Sequence, residues 1–88
     1  MLYAVICRDK PGHLQTRLDT RERHVAYLKS TPVVLAGPFL ENGEMCGSLV
    51  VVEQPDLAGA QAWAAGDPYA AAGLFESVSV TEWKRVIG

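Results

Sequence analysis

The chain has 88 residues, of which 49% are hydrophobic and 20% are charged, and its formal net charge is −2 at pH 7. This length fits a single domain over residues 1–88, and its acidic balance excludes the basic surface that nucleic-acid phosphates require. No apolar run is long enough to cross a bilayer, and the N-terminus lacks the basic flank of a secretion signal, so we expect a cytoplasmic protein that binds no nucleic acid and no membrane.

The cysteines and histidines argue against disulfide and metal chemistry. Cys7 and Cys46 lie far apart and form no CxxC pair, which is typical of reduced thiols in a cytosolic protein. His13, His24 and Cys46 lack the spacing of zinc ligands, and glycine-rich phosphate loops are absent. We therefore expect no metal and no cofactor.

The first half of the chain predicts a strand, a helix and a second strand. Residues 2–8 (LYAVICR) are rich in β-branched and aromatic residues and end at a DKPG turn. Residues 14–29 have helical spacing, and the STP sequence that follows stops the helix. Residues 33–41 form the second strand. Its internal Gly37-Pro38 predicts an edge, a bulge or a bend, because proline cannot donate to a sheet ladder.

The next segment predicts a hairpin followed by a helix. The Asn-Gly pair at 42–43 supplies the two positive φ angles that a type I′ turn needs, and residues 45–52 (MCGSLVVV) form the returning strand. The Pro-Asp pair at 55–56 is typical of the first turn of a helix. We expect Gly66 at the C′ position, where that helix ends.

A short helix and a last strand complete the order. The sequence DPYAAAG begins a new helix at Asp67 and stops it at Gly73, and residues 74–84 (LFESVSVTEWK) form the final strand. The resulting βαββαβ order predicts an α+β, ferredoxin-like fold: a four-stranded antiparallel sheet with its helices on one face.

The first strand predicts an oligomer. Its apolar residues fall on both faces, Tyr3, Val5 and Cys7 on one and Leu2, Ala4 and Ile6 on the other. A strand that is apolar on both faces is buried on both, and the helices suffice for one face only. We therefore expect a homodimer packed sheet against sheet.

Helical spacing places a charged patch beside the inward face of the first helix. The centre of the inward stripe is expected at Leu14, Leu18, Val25 and Leu28. Arg21 falls inside that stripe, with Arg17 and His24 on its border. Burying an unpaired guanidinium is very costly. Each arginine therefore extends to water past the stripe, lines a cationic pocket that holds a small anionic molecule, or forms a structural salt bridge.

Four further side chains each allow a functional and a structural interpretation. His24 is either a general acid or base for neutral pH or a structural residue with its hydrogen bonds satisfied. Asp67 precedes a proline and is a favoured helix N-cap, which does not prevent it from facing a cleft. Ser48 interrupts an apolar strand, where its hydroxyl bonds to backbone or to a ligand. Tyr69 lines a pocket or packs in the core.

The chain resembles the YciI-like (YCII-related) family of the dimeric α+β-barrel superfamily. The segments that carry the resemblance are RLDTRERHVAYL, AGP, GSLVVVE, AQAWAAGDPYAAAG and FESVSVTEWK. The resemblance implies a dimer with one cleft per subunit and a catalytic pair at His24 and Asp67. Arg17, Arg21 and Ser48 match residue types common in the family. The superfamily includes muconolactone isomerase and a dehydrochlorinase, and the hairpin is tighter here than in longer members.

Two classes of function follow from these residues. The first is a lyase or isomerase that uses His24 and Asp67 to move protons on a small anionic or cyclic organic substrate, with Arg17 and Arg21 holding its negative charge. The second is a non-catalytic small-ligand or partner-binding module, which needs the arginines but no proton-transfer pair. An accessory domain of a larger assembly is a third, weaker alternative.

Overall fold

A four-stranded antiparallel sheet carries two longer helices and one short helix. The computed structural model describes all 88 residues. Its elements are β1 (Leu2–Asp9), α1 (Leu14–Ser30), β2 (Val33–Glu41), β3 (Glu44–Glu53), α2 (Leu57–Ala65), α3 (Pro68–Ala71) and β4 (Phe75–Trp83). The strand order is β2-β3-β1-β4, with every neighbouring pair antiparallel. The predicted α+β, ferredoxin-like βαββαβ fold is therefore confirmed.

The β2–β3 hairpin forms as its sequence predicts. Asn42 and Gly43 have φ angles of 52° and 80°, the left-handed pair that the type I′ turn requires. Strand β2 lies at the edge of the sheet, and its pairing with β3 shifts register at two points. Pro38 lies on this edge strand opposite Ser48, where a missing backbone donor is tolerated.

The core lies between the sheet and the helices. It is formed by Tyr3, Val5, Cys7, Val50, Val52, Ala60, Trp63 and Ala64. Two hydrogen bonds fasten the end of α1 to α2: the Tyr27 hydroxyl donates to the Trp63 carbonyl at 2.7 Å, and the Trp63 indole donates to Thr31 Oγ1 at 2.9 Å. On the opposite face of the sheet, no element of this chain covers the half-buried side chains of Leu2, Ala4 and Ile6.

Both predicted ends of α2 need correction. Pro55 lies before the helix, because Asp56 is the N-cap and its side chain accepts the backbone N–H of Gly59 at 2.7 Å. Gly66 is the C-cap with a right-handed φ of −83°, so no left-handed C′ residue follows α2. Gly66 is needed for a different reason, since a Cβ there would lie 2.7 Å from the Tyr27 hydroxyl. The predicted stop at Gly73 is confirmed by its φ of 72°.

The predicted inward stripe of α1 is correct only in part: Leu28 packs against the core, but the centre of the buried face lies elsewhere. Leu18 is 47% exposed and Arg21 is exposed, whereas Arg17, Thr20 and His24 are buried. The helix is rotated because Arg17 and His24 find hydrogen-bonding partners on other elements, which removes the cost of burying them. Hydrophobic periodicity ranks a side chain by its own polarity and contains no information about such partners.

Candidate active site

His24 and Asp67 form a buried hydrogen-bonded pair. His24 Nδ1 and Asp67 Oδ1 are 2.8 Å apart, and their side chains are 8% and 5% exposed. A carboxylate accepts hydrogen bonds, so the neutral imidazole carries its proton on Nδ1 and leaves the lone pair on Nε2. Nε2 has no partner within the chain, yet every fully buried polar side-chain atom has one, so Nε2 reaches solvent.

Asp67 also begins helix α3. The same Oδ1 atom accepts the backbone N–H of Tyr69 at 2.9 Å, and Pro68 occupies the first helical position. The N-cap role and the pairing with His24 were predicted as compatible alternatives, and the structure places both on one oxygen atom. The backbone of α3 therefore fixes the position of the carboxylate that orients the imidazole.

The Tyr69 ring stacks against one face of the His24 imidazole. The two rings stack with centroids 3.9 Å apart and planes 16° from parallel, and Phe75 packs edge-on against Tyr69 at 6.0 Å. Tyr69 is 1% exposed, and this burial raises the pKa of its hydroxyl, against the lowering effect of the Arg17 and Arg21 charges. Tyr69 thus packs and also lines the cleft described below.

Arg17 is held by a carboxylate that no sequence pattern predicted as a site residue. Its Nε and Nη2 donate to the two oxygens of Asp9 at 2.7 and 2.9 Å, and Nη2 also donates to Ser48 Oγ at 2.9 Å. Burial would lower the pKa of Arg17, but the hydrogen bond and charge of Asp9 hold it above its usual value. At 2% exposure Arg17 does not extend past the helix to bulk water; it forms the salt bridge and also lines the cleft described below.

Asp9 was assigned only to the DKPG turn that ends β1. It lies eight residues before Arg17, at a point where the pairing of β1 with β4 shifts register. The available signal was an acid at the end of a strand, close in sequence to an arginine on the border of an apolar helix face. That signal is weak, because an aspartate in such a turn is usually explained by the turn itself.

A cleft of about 160 Å³ opens between α1 and the β2–β3 hairpin. Its lining residues are Arg17, Arg21, His24, Val25, Leu28, Ala36, Gly37, Pro38, Met45, Ser48, Val50 and Tyr69. The cleft thus brings together five of the six predicted site residues, and Asp67 stands behind His24. Arg21 is exposed and makes no hydrogen bond or ion pair within the chain, so its guanidinium is free for a ligand.

A buried thiol lies near these charged groups. Burial, helped by the negative charges of Asp67 and Asp9 and opposed by Arg17, raises the pKa of Cys7 to about 12. A thiol with this pKa stays protonated near neutral pH and is a poor nucleophile. No group of three or more His, Cys, Asp and Glu side chains is placed to hold a metal ion, and no helix is long and apolar enough to span a membrane.

Comparison with known proteins supports one family along the whole length. The YCII-related domain family matches residues 1–84. The chain is 38% identical to protein YciI of Escherichia coli O6:H1 over 97 aligned positions, which cover 98% of this chain and 99% of the relative. A protein of Haemophilus influenzae is 36% identical over the same extent. The alignments are longer than the chain itself, so these relatives carry additional residues.

A solved structure of high similarity is 5-chloro-2-hydroxyhydroquinone dehydrochlorinase (TftG) from Burkholderia phenoliruptrix, in complex with 2,5-dihydroxybenzoquinone. It superimposes with a TM-score of 0.90 at 33% sequence identity, covering 96% of this chain and 94% of that one. The sequence, the topology and the match to the family model agree. The chain belongs to the YCII-related family.

Proposed function

We propose that the protein is a small-molecule lyase or isomerase in which His24 Nε2 takes and returns a proton. The observation that carries this proposal is the buried 2.8 Å pair of His24 and Asp67, with Nε2 left free at the cleft. Asp67 holds the imidazole in the tautomer that presents its lone pair and stabilises the imidazolium that forms when Nε2 takes a proton.

The cleft favours a small, flat, anionic or enolic ligand. Its walls include apolar side chains such as Val25, Leu28 and Pro38, while Arg21 offers a free positive charge. Polar groups that converge in a small, partly apolar cleft are typical of ligand sites. The ring compounds named for TftG, a protein 33% identical over nearly the whole chain, belong to this class.

The dehydrochlorination that gives TftG its name suits a single acid/base residue. When a chlorinated trihydroxybenzene becomes a hydroxybenzoquinone, two hydroxyl protons leave oxygen and one proton is delivered to the carbon that loses chlorine. Chloride departs with its bonding electron pair, so the net change is loss of HCl and no external oxidant is needed. A single residue can take a proton from a hydroxyl group and deliver it to the ring carbon, and His24 can fill this role.

We further propose that the working unit is a cytoplasmic homodimer. On the sheet face opposite the helices, five apolar side chains are left exposed or half-buried: Leu2, Ala4, Ile6, Leu35 and Leu49. A second copy of the chain would cover them, sheet against sheet, because the helices of one chain lie only on the other face. Both cysteines are free thiols, which supports the reducing cytoplasm.

The test is chloride release from 5-chloro-2-hydroxyhydroquinone by the purified protein and by His24→Ala. We expect measurable release and a loss of about 10²-fold or more in the variant. A ligand-binding module would instead bind 2,5-dihydroxybenzoquinone without turnover in either form. If no proton-transfer reaction of such ring compounds is accelerated, or if His24→Ala is fully active, the proposed function is wrong.

A further inference from the structure

Ser48 has an unused hydroxyl proton at the cleft that contains His24. The side chain is 3% exposed, and its single hydrogen bond within the chain joins its Oγ to Arg17 Nη2 at 2.9 Å. Both Ser48 and His24 line the 160 Å³ cleft. The direction of the hydrogen bond between Ser48 and Arg17 therefore decides what Ser48 can offer to a ligand.

The direction follows from the chemistry of the guanidinium. All of its hydrogen-bonding positions are donors and none is an acceptor, so Ser48 Oγ must accept the bond from Arg17. The proton of the Ser48 hydroxyl is then left without an acceptor in the protein. A hydroxyl that bonded to a backbone carbonyl would use this proton and present its lone pairs instead. Arg17 thus makes Ser48 a hydrogen-bond donor toward the cleft.

Asp9 fixes the guanidinium in the orientation that this requires. It accepts two parallel bonds from Arg17, and one of the donating atoms, Nη2, is also the atom that bonds to Ser48. The Asp9 side chain is 6% exposed and lies at the end of β1, where the pairing with β4 shifts register. The two-pronged geometry leaves the arginine little freedom to turn away from Ser48.

We propose that Asp9 is a positioning residue that acts through Arg17 to present Ser48 as a donor to an oxyanion or carbonyl oxygen of the ligand. This inference rests on the proposed function and specifies its substrate class. The ligand carries an acidic hydroxyl, whose proton goes to His24 Nε2, and a second oxygen on the same conjugated skeleton that accepts from Ser48. The Nε and Nη2 atoms of Arg17 are occupied by Asp9 and Ser48 and do not bind the substrate directly.

The experiment measures binding of 2,5-dihydroxybenzoquinone by calorimetry to four forms: wild type, Ser48→Ala, Asp9→Asn/Arg17→Gln, and the triple variant that combines them. Removing both members of the buried ion pair together leaves no unpaired charge, which protects the fold. We expect Ser48→Ala to weaken binding about 10-fold, the usual effect of losing a bond to a charged oxygen. Asp9→Asn/Arg17→Gln should weaken it at least as much, and the triple variant should bind no more weakly than Asp9→Asn/Arg17→Gln.

If Asp9 and Arg17 act through Ser48, the losses of affinity are not additive in the triple variant. If they act independently of Ser48, the fold-losses of affinity multiply, as expected for a structural role. Ser48→Thr, which restores the hydroxyl, should recover most of the affinity. Loss of turnover in His24→Ala, measured separately as chloride release, tests the proposed proton transfer, so its failure is distinguished from failure of this inference, which is measured by binding alone. Multiplied losses in the triple variant, full affinity in Ser48→Ala, or no binding by the wild type would each overturn the inference.

Discussion

His24 and Asp67 lie 43 residues apart in the chain and meet at 2.8 Å, through the same carboxylate oxygen that caps helix α3. The Oδ1 atom of Asp67 thus caps helix α3 and also orients the imidazole of His24. Any change that moves the beginning of α3 also moves the pair. The position of the candidate base is therefore set by backbone geometry and not by a free side chain.

The two functions of Asp67 can be separated by substitution. Asparagine keeps an oxygen acceptor and is as good an N-cap as aspartate, so Asp67→Asn should change the free energy of unfolding by less than about 1 kcal/mol. It removes the negative charge that stabilises the imidazolium, so turnover should fall at least about 10-fold. Chloride release and urea unfolding measure the two effects.

Asp67→Ala is the matched control for this substitution. It removes the cap and leaves Nδ1 of His24 buried without a partner, so we expect a loss of about 2–4 kcal/mol as well as of activity. If Asp67→Asn destabilised the fold as much as Asp67→Ala and kept full turnover, Asp67 would be a cap alone.

The Arg17–Asp9 pair should show the energetics of a buried ion pair. Arg17→Met leaves the Asp9 carboxylate buried without its partner, and the expected loss is about 3–5 kcal/mol in the free energy of unfolding. Arg17→Met/Asp9→Leu, which removes both charges, should recover a large part of that loss. Urea unfolding of both variants checks this, and a double variant less stable than the single one would contradict it.

Alkaline pH should destabilise the fold through Cys7. The pKa of this thiol is about 12 in the folded protein and near 9.0 in the unfolded chain. The stabilisation is therefore complete below pH 9 and is lost as pH rises from 9 to 12, because only the unfolded state ionises in that window. Between pH 8 and 10 we expect a loss of about 1 kcal/mol.

Cys7→Ala provides the reference for this pH effect. Its free energy of unfolding should be lower at neutral pH, because a buried side chain has been shortened, but it should fall less steeply between pH 8 and 10. Equal slopes for the variant and the wild type would show that Cys7 does not contribute to the alkaline loss.

Gly47 should be intolerant of a side chain. A Cβ at this position would clash with the backbone carbonyl of Cys7 and approach the Phe39 ring at 3.2 Å. Because the backbone cannot shift cheaply within the sheet, Gly47→Ala should cost about 1–3 kcal/mol in the free energy of unfolding. The control is Gly37→Ala on the neighbouring strand, where a Cβ meets nothing within 4 Å and stability should change little. Similar thermal midpoints for both variants would refute this.

Dimerisation should depend on the uncovered face of the sheet. Ile6 lies on this face between Leu49 and Ser79, so Ile6→Glu would bring like charges and unpaired polar groups into the proposed contact. We expect the wild type to sediment at twice its 9.5 kDa mass and Ile6→Glu at the mass of one chain. Leu18→Glu, at an exposed site on α1, is the control and should stay dimeric. A wild-type protein that sediments as a monomer would refute the proposed dimer.

The order of the elements can be predicted from the amino-acid sequence alone, because the signals for them are local. The Asn42-Gly43 turn, the Asp67 cap and the apolar strands depend on neighbours within a few residues. The proline within β2 predicted an edge, a bulge or a bend, and the strand lies at the edge of the sheet. The family resemblance added the pairing of His24 with Asp67, which no local signal contains.

The side of α1 that faces inward depends on contacts between elements that are distant in the chain. The burial of Arg17 depends on Asp9 and Ser48, which lie 8 and 31 residues away on two different strands. Hydrophobic periodicity predicted Leu18 in the interior because it uses only the hydrophobicity of each side chain. It does not include the hydrogen-bonding partners that allow a charged side chain to be buried. Burial of a charge is decided by the geometry of its counter-charge. That geometry exists only once the strands and the helix have come together.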